Sequence, residues 1–186
     1  NYNSKVNDLN RQLLRLTELV SGTDIATESG KASIYKEISH ARLALKSSDF
    51  WLRYFEPVAY NRINGPIPVE WENEVFEKFE KPYRRDGAGL TLAALYLESD
   101  APAKDSLLSL INTSLTAIKT FQADSITRQL DTFDHFYLAN RLFLLNLAAI
   151  YTTGFDCPEK HNIIPELRSM MKGVKDIYEA YNQTFP

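Results

Sequence analysis

Three groups of side chains have the types and spacing for chemistry. Glu37 and His40 stand three apart, on one face of any helix that carries them. That is half of a carboxylate-bridged metal site, but a di-iron bundle uses two Glu-x-x-His motifs and two further Glu, and this chain has one such motif. The simpler reading is a surface pair on the polar side of an amphipathic helix. Asp131, Asp134 and His135 form an acidic cluster where a helix should start, and carboxylates there complement the helix dipole. Asp134 is expected to pair with Arg42 or Arg141 inside the bundle and to fix helix register. Cys157 and His161 are four apart, a zinc spacing if helical, but no second pair completes a site. A Cys–His nucleophile would also need an orienting group and an oxyanion hole, which nothing nearby suggests. No catalytic, cofactor-binding or metal-ligating residue is assigned on these grounds.

The elements that position these groups are helices. The chain has 186 residues, 44% hydrophobic and 24% charged, enough for one domain with a full core, residues 1–186. A net charge of -3, with Lys and Arg scattered and adjacent only at Arg84-Arg85, gives no nucleic-acid footprint. Cys157 is the single cysteine, which excludes an internal disulfide, a Cys-based zinc site and a Cys-x-x-Cys-His haem attachment within these residues. The longest apolar stretch, Leu142 to Ile150, contains Asn146 and is too short to span a membrane. No signal peptide is recognised, and a start at Asn rather than Met implies that something was removed upstream.

Helical periodicity runs through Val6, Leu9, Leu13, Leu16 and Val20, then through Ile34, Ile38, Ala41, Leu45, Ser48, Leu52 and Phe55, a long helix ending near Pro57. An irregular crossover follows, about 58–86, around Asn64-Gly65-Pro66 and Pro68, with one short helix near Trp71 to Phe79. Gly89 to Glu98 reads as a short apolar helix. Asp100 is placed to cap the series Leu108, Ile111, Leu115 and Ile118, with Pro102 in its first turn. The next helix is predicted from about Ser125 to Thr153, apolar nearly all round after Leu138 and therefore central. The last carries Leu167, Met170, Val174, Ile177 and Tyr181. No segment alternates with period two. The expected fold is all-α, an antiparallel helical bundle with one long crossover.

Two further features stand out. Thr153 to Glu166 stops one apolar segment at Gly154, turns through Asp156, Pro158 and Asn162, and starts the last helix at Pro165-Glu166. The aromatic set Phe50, Trp51, Tyr54, Phe55, Tyr60 and Trp71 either packs the crossover onto the helices or, through Trp51, Tyr54, Tyr60 and Trp71, offers a partner face.

Four ordered blocks carry a resemblance: Ala41-Arg42-Leu43-Ala44-Leu45-Lys46 with Phe50; Ile63-Asn64-Gly65-Pro66-Ile67-Pro68; Phe133-Asp134-His135 to Arg141; and Gly154-Phe155-Asp156 through Asn162 to Pro165-Glu166. From Ser33 to Tyr181 the chain resembles the helical N-terminal domain ahead of di-haem cytochrome c peroxidase modules in Bacteroidetes-type exported proteins, itself distantly similar to imelysin-type domains. The resemblance implies a structural motif of Arg42, Lys46, Asn64, Gly65, Asp134, Arg141, Gly154, Asp156 and Asn162. It implies a non-catalytic accessory domain, periplasmic or exported, with a lipid anchor possible upstream. Its partner would be a haem-binding peroxidase module in cis or trans, with haem c held there and no cofactor in this chain. The alternative is an imelysin-like periplasmic module for metal or haem uptake. Against it, Gly89-Leu90-Thr91-Leu92-Ala93-Ala94 stands where such domains carry Gly-x-His-x-x-Glu, with Thr91 for the His and Ala94 for the Glu.

Overall fold

The computed structural model describes residues 2–71, 83–130 and 132–184. It is an all-α helical bundle of α1 (Tyr2–Gly22), α2 (Glu28–Lys46), α3 (Asp49–Phe55), α4 (Pro57–Ile63), α5 (Gly89–Leu97), α6 (Lys104–Ile118), α7 (Asp124–Gln129), α8 (Phe133–Asn146) and α9 (Ile163–Thr184). The crossover adds one minimal antiparallel ribbon, Val69–Trp71 against Tyr83–Arg85, which period-two patterning over three residues is too short to reveal. Trp71 therefore sits in a strand; the rest of the helix expected from Trp71 to Phe79 lies outside the described residues.

The apolar series of α1 is buried entire, with Val6, Leu9, Leu13, Leu16 and Val20 on one face. α2 opens at Thr27, whose hydroxyl accepts from the Gly30 amide at 3.1 Å, a side-chain N-cap. These helices, with α4, α5 and α6, enclose the larger core around Leu13, Ile38, Leu45, Tyr60, Leu90 and Ile111. A second, smaller core lies between α3, α8 and α9, built from Phe50, Trp51, Ala139, Phe143, Tyr151, Met170 and Val174.

Three expected helices differ. The series through Ile34 and Phe55 is two helices, because Ser47 and Ser48 turn their hydroxyls back onto the Ala44 carbonyl, at 2.7 and 3.5 Å. Hydroxyls that bond local backbone in this way compete with helix propagation. α6 starts later than expected: Ala103, still extended at φ -93° and ψ 129°, is its N-cap, so Asp100 does not cap it and Pro102 precedes it. The segment from Ser125 to Thr153 breaks at Thr132, which is extended and whose hydroxyl bonds the Gln129 carbonyl at 2.8 Å. The helix that follows is not central. α8 buries only Ala139 and Phe143, and leaves Tyr137, Leu138, Leu144 and Leu145 between 46% and 69% exposed.

Candidate functional site

The chemistry-bearing residues converge where the two cores meet. Arg42, Lys46, Asp49 and Arg53 follow one another at steps of four, three and four along α2 and α3, so they form a single stripe despite the break at Ser48. Arg42, Lys46 and Asp49 are all 1% exposed or less. Each is matched by groups from other elements, as a buried charge must be.

Arg42 is the hub. Its Nε and Nη2 donate to the two carboxylate oxygens of Glu166, at 2.5 and 3.0 Å, in a bidentate pair that crosses from α2 to the first turn of α9. Its Nη1 donates to Asn64 Oδ1 at 2.7 Å and to Thr91 Oγ1 at 3.0 Å, and its Nη2 to the Asp156 carbonyl at 2.7 Å. Lys46 Nζ donates to Asp156 Oδ2 at 2.6 Å, and Arg53 Nη2 reaches the same oxygen at 3.1 Å. The Asp49 carboxylate accepts from both Tyr60 and Tyr151 hydroxyls. The Arg53 guanidinium lies 4.3 Å from the centre of the Tyr60 ring and 5.3 Å from that of Tyr151.

Local backbone places these partners. At the end of α8 a π-turn, Leu147–Tyr151, shifts the register so that Tyr151 faces inward. Gly154 then takes φ 70°, a conformation open to glycine, and turns the chain so that Asp156 enters the network. At the base of the crossover Asn64 bridges Gly89, which has φ 58° and lies so close to Ile63 that a Cβ would stand 2.1 Å from its carbonyl oxygen. That approach sets Asn64 beside Thr91, whose hydroxyl donates to Asn64 Oδ1 at 3.0 Å. Gly65 continues the closure, its amide bonding the Ala88 carbonyl at 3.2 Å.

Three cations, Arg42, Lys46 and Arg53, meet three carboxylates, Asp49, Asp156 and Glu166. Burial would raise the Asp156 carboxyl, but the charges of Lys46, Arg53 and Arg42 outweigh it and hold it below the usual carboxylate range. Burial would lower Lys46, yet Tyr60, Asp156 and Asp49 hold its ammonium charged well into alkaline pH. Burial, aided by Asp49, pushes the Tyr60 hydroxyl up to about 12. Cys157, buried beside Glu166, is pushed up to about 11, and its thiol donates to the Glu159 carbonyl at 3.2 Å. The network sets three formal cations against three formal anions. It holds the crossover, the elbow after α8 and the start of α9 against α2.

The expected motif residues divide. Arg42, Lys46, Asn64 and Asp156 meet in this network, Gly65 and Gly154 shape its backbone, and Asn162 ties the elbow to α2 through Ser39 Oγ at 3.3 Å. Asp134 and Arg141 take no part: both are exposed on α8, and Arg42 pairs with Glu166 in place of Asp134. Of the partner-face aromatics, Trp51 and Tyr60 are 5% exposed or less, so they pack the interior and present no surface. Tyr54 is half-buried, its hydroxyl 2.7 Å from His135 Nδ1 on α8.

Glu37 is buried rather than on the surface, held by Arg15 of α1 at 3.2 Å and by His40 at 3.3 Å. Cys157 and His161 each contact Glu159, the thiol donating to its carbonyl and the imidazole lying 3.2 Å from its carboxylate. Asp131 lies outside the described residues. Among the described residues no group of three or more His, Cys, Asp and Glu is arranged to hold a metal ion, and no helix is long and apolar enough to cross a membrane.

Sequence reasoning missed Asp49, Arg53 and Tyr151. It met Thr91 and Glu166 only as a motif position and a first-turn acid. The available signal was the stripe of charged residues at steps of four, three and four from Arg42 to Arg53. No protein-family model, curated protein or solved structure matches the chain.

Proposed function

We propose that this chain is a non-catalytic helical accessory domain, and that the chemistry it serves, peroxide reduction at haem c, belongs to a peroxidase module acting with it in cis or in trans. The observation that carries the reading is the sealed network around Arg42. The residues of three ordered sequence blocks come together there, and they are consumed by holding helices to one another. Each buried carboxylate already faces a cation, so none is left to act as a free base, and the Cys157 thiol is buried and protonated. A polar core of this kind fixes one helix arrangement more than it adds stability. That is what a domain needs when its role is to present a shaped surface. Export and a possible upstream lipid anchor come with the resemblance.

The imelysin-like alternative, a metal- or haem-uptake module, meets a physical obstacle at the position where such domains place a ligand. Thr91 is fully buried and its hydroxyl is already engaged, accepting from Arg42 at 3.0 Å and donating to Asn64 at 3.0 Å, and Ala94 carries no ligating atom.

The test is intact mass, metal content and a pyridine haemochrome spectrum of the native gene product with whatever co-purifies. Covalent haem on the same polypeptide, or on a stoichiometric partner, is expected. A haem-free product carrying one bound transition metal per chain would overturn this reading in favour of the uptake module.

A further inference from the structure

The face of α8 that the bundle leaves uncovered has a pattern of its own. With 3.6 residues per turn, Asp134 and Arg141, seven apart, lie on one line down the helix. Tyr137 and Leu144 flank that line on one side, Leu138 and Leu145 on the other. All six are exposed. Among the described residues neither Asp134 nor Arg141 has an ion partner within the chain. A stripe of large apolar side chains this continuous is unusual on a surface that stays wet.

We propose that the occupant of this face is a second copy of the chain, docked by α8 against α8 in antiparallel orientation. Charge complementarity selects that arrangement. A symmetric parallel pair would set Asp134 on Asp134 and Arg141 on Arg141. An antiparallel pair centred on either residue also puts like charge on like. Centred between Tyr137 and Leu138, it places Asp134 of each copy on Arg141 of the other, giving two ion pairs about 10 Å apart at 1.5 Å rise per residue. Tyr137 and Leu138 then meet their counterparts at the dyad, and Leu144 and Leu145 close the two ends.

The apolar flanks supply affinity, and the ion pairs set register and direction, as polar residues do in helix seams. Four side chains about half exposed, with the stem of Arg141, bury on the order of 500 Å² per copy, at the lower edge of specific interfaces. The dimer is accordingly expected in the micromolar range. It does not depend on the haem reading, and the two fail separately.

The experiment is sedimentation velocity on the 186-residue chain from about 5 to 500 μM, with circular dichroism confirming that each variant is folded. A concentration-dependent dimer is expected, weakened about tenfold or more by Leu145→Glu. Asp134→Arg and Arg141→Asp should each weaken it about tenfold, and the double exchange should return it to within about threefold of the parent. A monomer throughout the range would overturn the proposal. So would a dimer indifferent to Leu145→Glu, or a double exchange as weak as the single ones combined. A fourth refuting result would be crosslinking in the native assembly that finds this face covered by another protein.

Discussion

Arg42 gives the sharpest stability prediction. Replacing it with Met keeps most of the aliphatic stem and removes the guanidinium, leaving the carboxylate of Glu166, 4% exposed, without its cation. It also strips a donor from Asn64, Thr91 and the Asp156 carbonyl. Breaking a buried pair from one side costs about 3–5 kcal/mol. That is a large part of the roughly 5–15 kcal/mol that holds a natural domain folded. At about 2–4 °C per kcal/mol for a chain of this size, the midpoint of thermal unfolding should fall by roughly 6–20 °C.

Removing both charges together is the stricter test. In Arg42→Met/Glu166→Leu neither charge is left buried alone, so the double variant should lose less than the two single variants summed, by about 2 kcal/mol or more. Urea unfolding followed by far-ultraviolet circular dichroism measures all four proteins, with an unchanged dependence on urea showing that the same transition is compared. If Arg42→Met lost under about 1 kcal/mol, or the single losses simply added, the account of the network as a coupled lock would be wrong.

Four more expectations follow from the same geometry. Asp156 titrates low in the folded chain, so the stability it contributes is present above its unfolded value, about 3.9, and is lost as pH falls through the folded one. The urea midpoint should therefore drop below about pH 4, and Asp156→Asn should flatten that drop; an unchanged acid limb would refute the assignment. On the alkaline side Cys157 and Tyr60, raised to about 11 and about 12, and Lys46, also raised, favour their protonated forms when folded. Their contribution is complete below the unfolded values and is lost above them, so stability should decline from about pH 9 upward, and a midpoint rising between pH 9 and 11 would contradict it. The same raised thiol leaves on the order of a hundredfold less thiolate than a free cysteine, so Ellman's reagent at pH 8 should label Cys157 at least that much more slowly in the folded chain than in urea. Finally, Gly89→Ala combines a positive φ with a Cβ thrust onto the Ile63 backbone, and should cost about 3 kcal/mol or more, read as lost soluble yield or a urea midpoint shifted by that amount.

How far the sequence carried can be judged residue by residue. The helices α1, α6 and α9 were legible because one apolar face per helix, met by the core, is what a 3.6 period encodes, and α5 because Gly89 to Glu98 is a short apolar run. The break at Ser47-Ser48 was not, because Leu45, Ser48 and Leu52 stay in phase across it; the interruption lies in hydroxyls bonding the backbone, not in the pattern. The network was half legible. Arg42, Lys46, Asn64 and Asp156 were singled out by their blocks, but nothing local says that a charge on α2 is buried, since charged residues at steps of three and four also describe a solvated helix face. Only the approach of α9 and of the elbow after α8 decides between the two.

The misplacement of α8 follows from the same limit and bears on function. A helix apolar nearly all round was expected at the centre of the bundle, because burying such a surface is favourable. The structure buries one face of it against α3 and α9 and leaves the other in solvent. Periodicity reports that a surface demands cover; it does not report whether the cover comes from the same chain. The bundle had a cheaper use for its centre, since three charge pairs and two tyrosine hydroxyls must be sealed from water together. With that network lodged between the two cores, α8 lies at the periphery, and its outer face keeps large apolar side chains in solvent. The rigid lock and the sticky helix are thus two consequences of one packing choice. A variant that loosened the lock without touching α8, such as Arg42→Met, should weaken association through α8 only as far as it unfolds the chain.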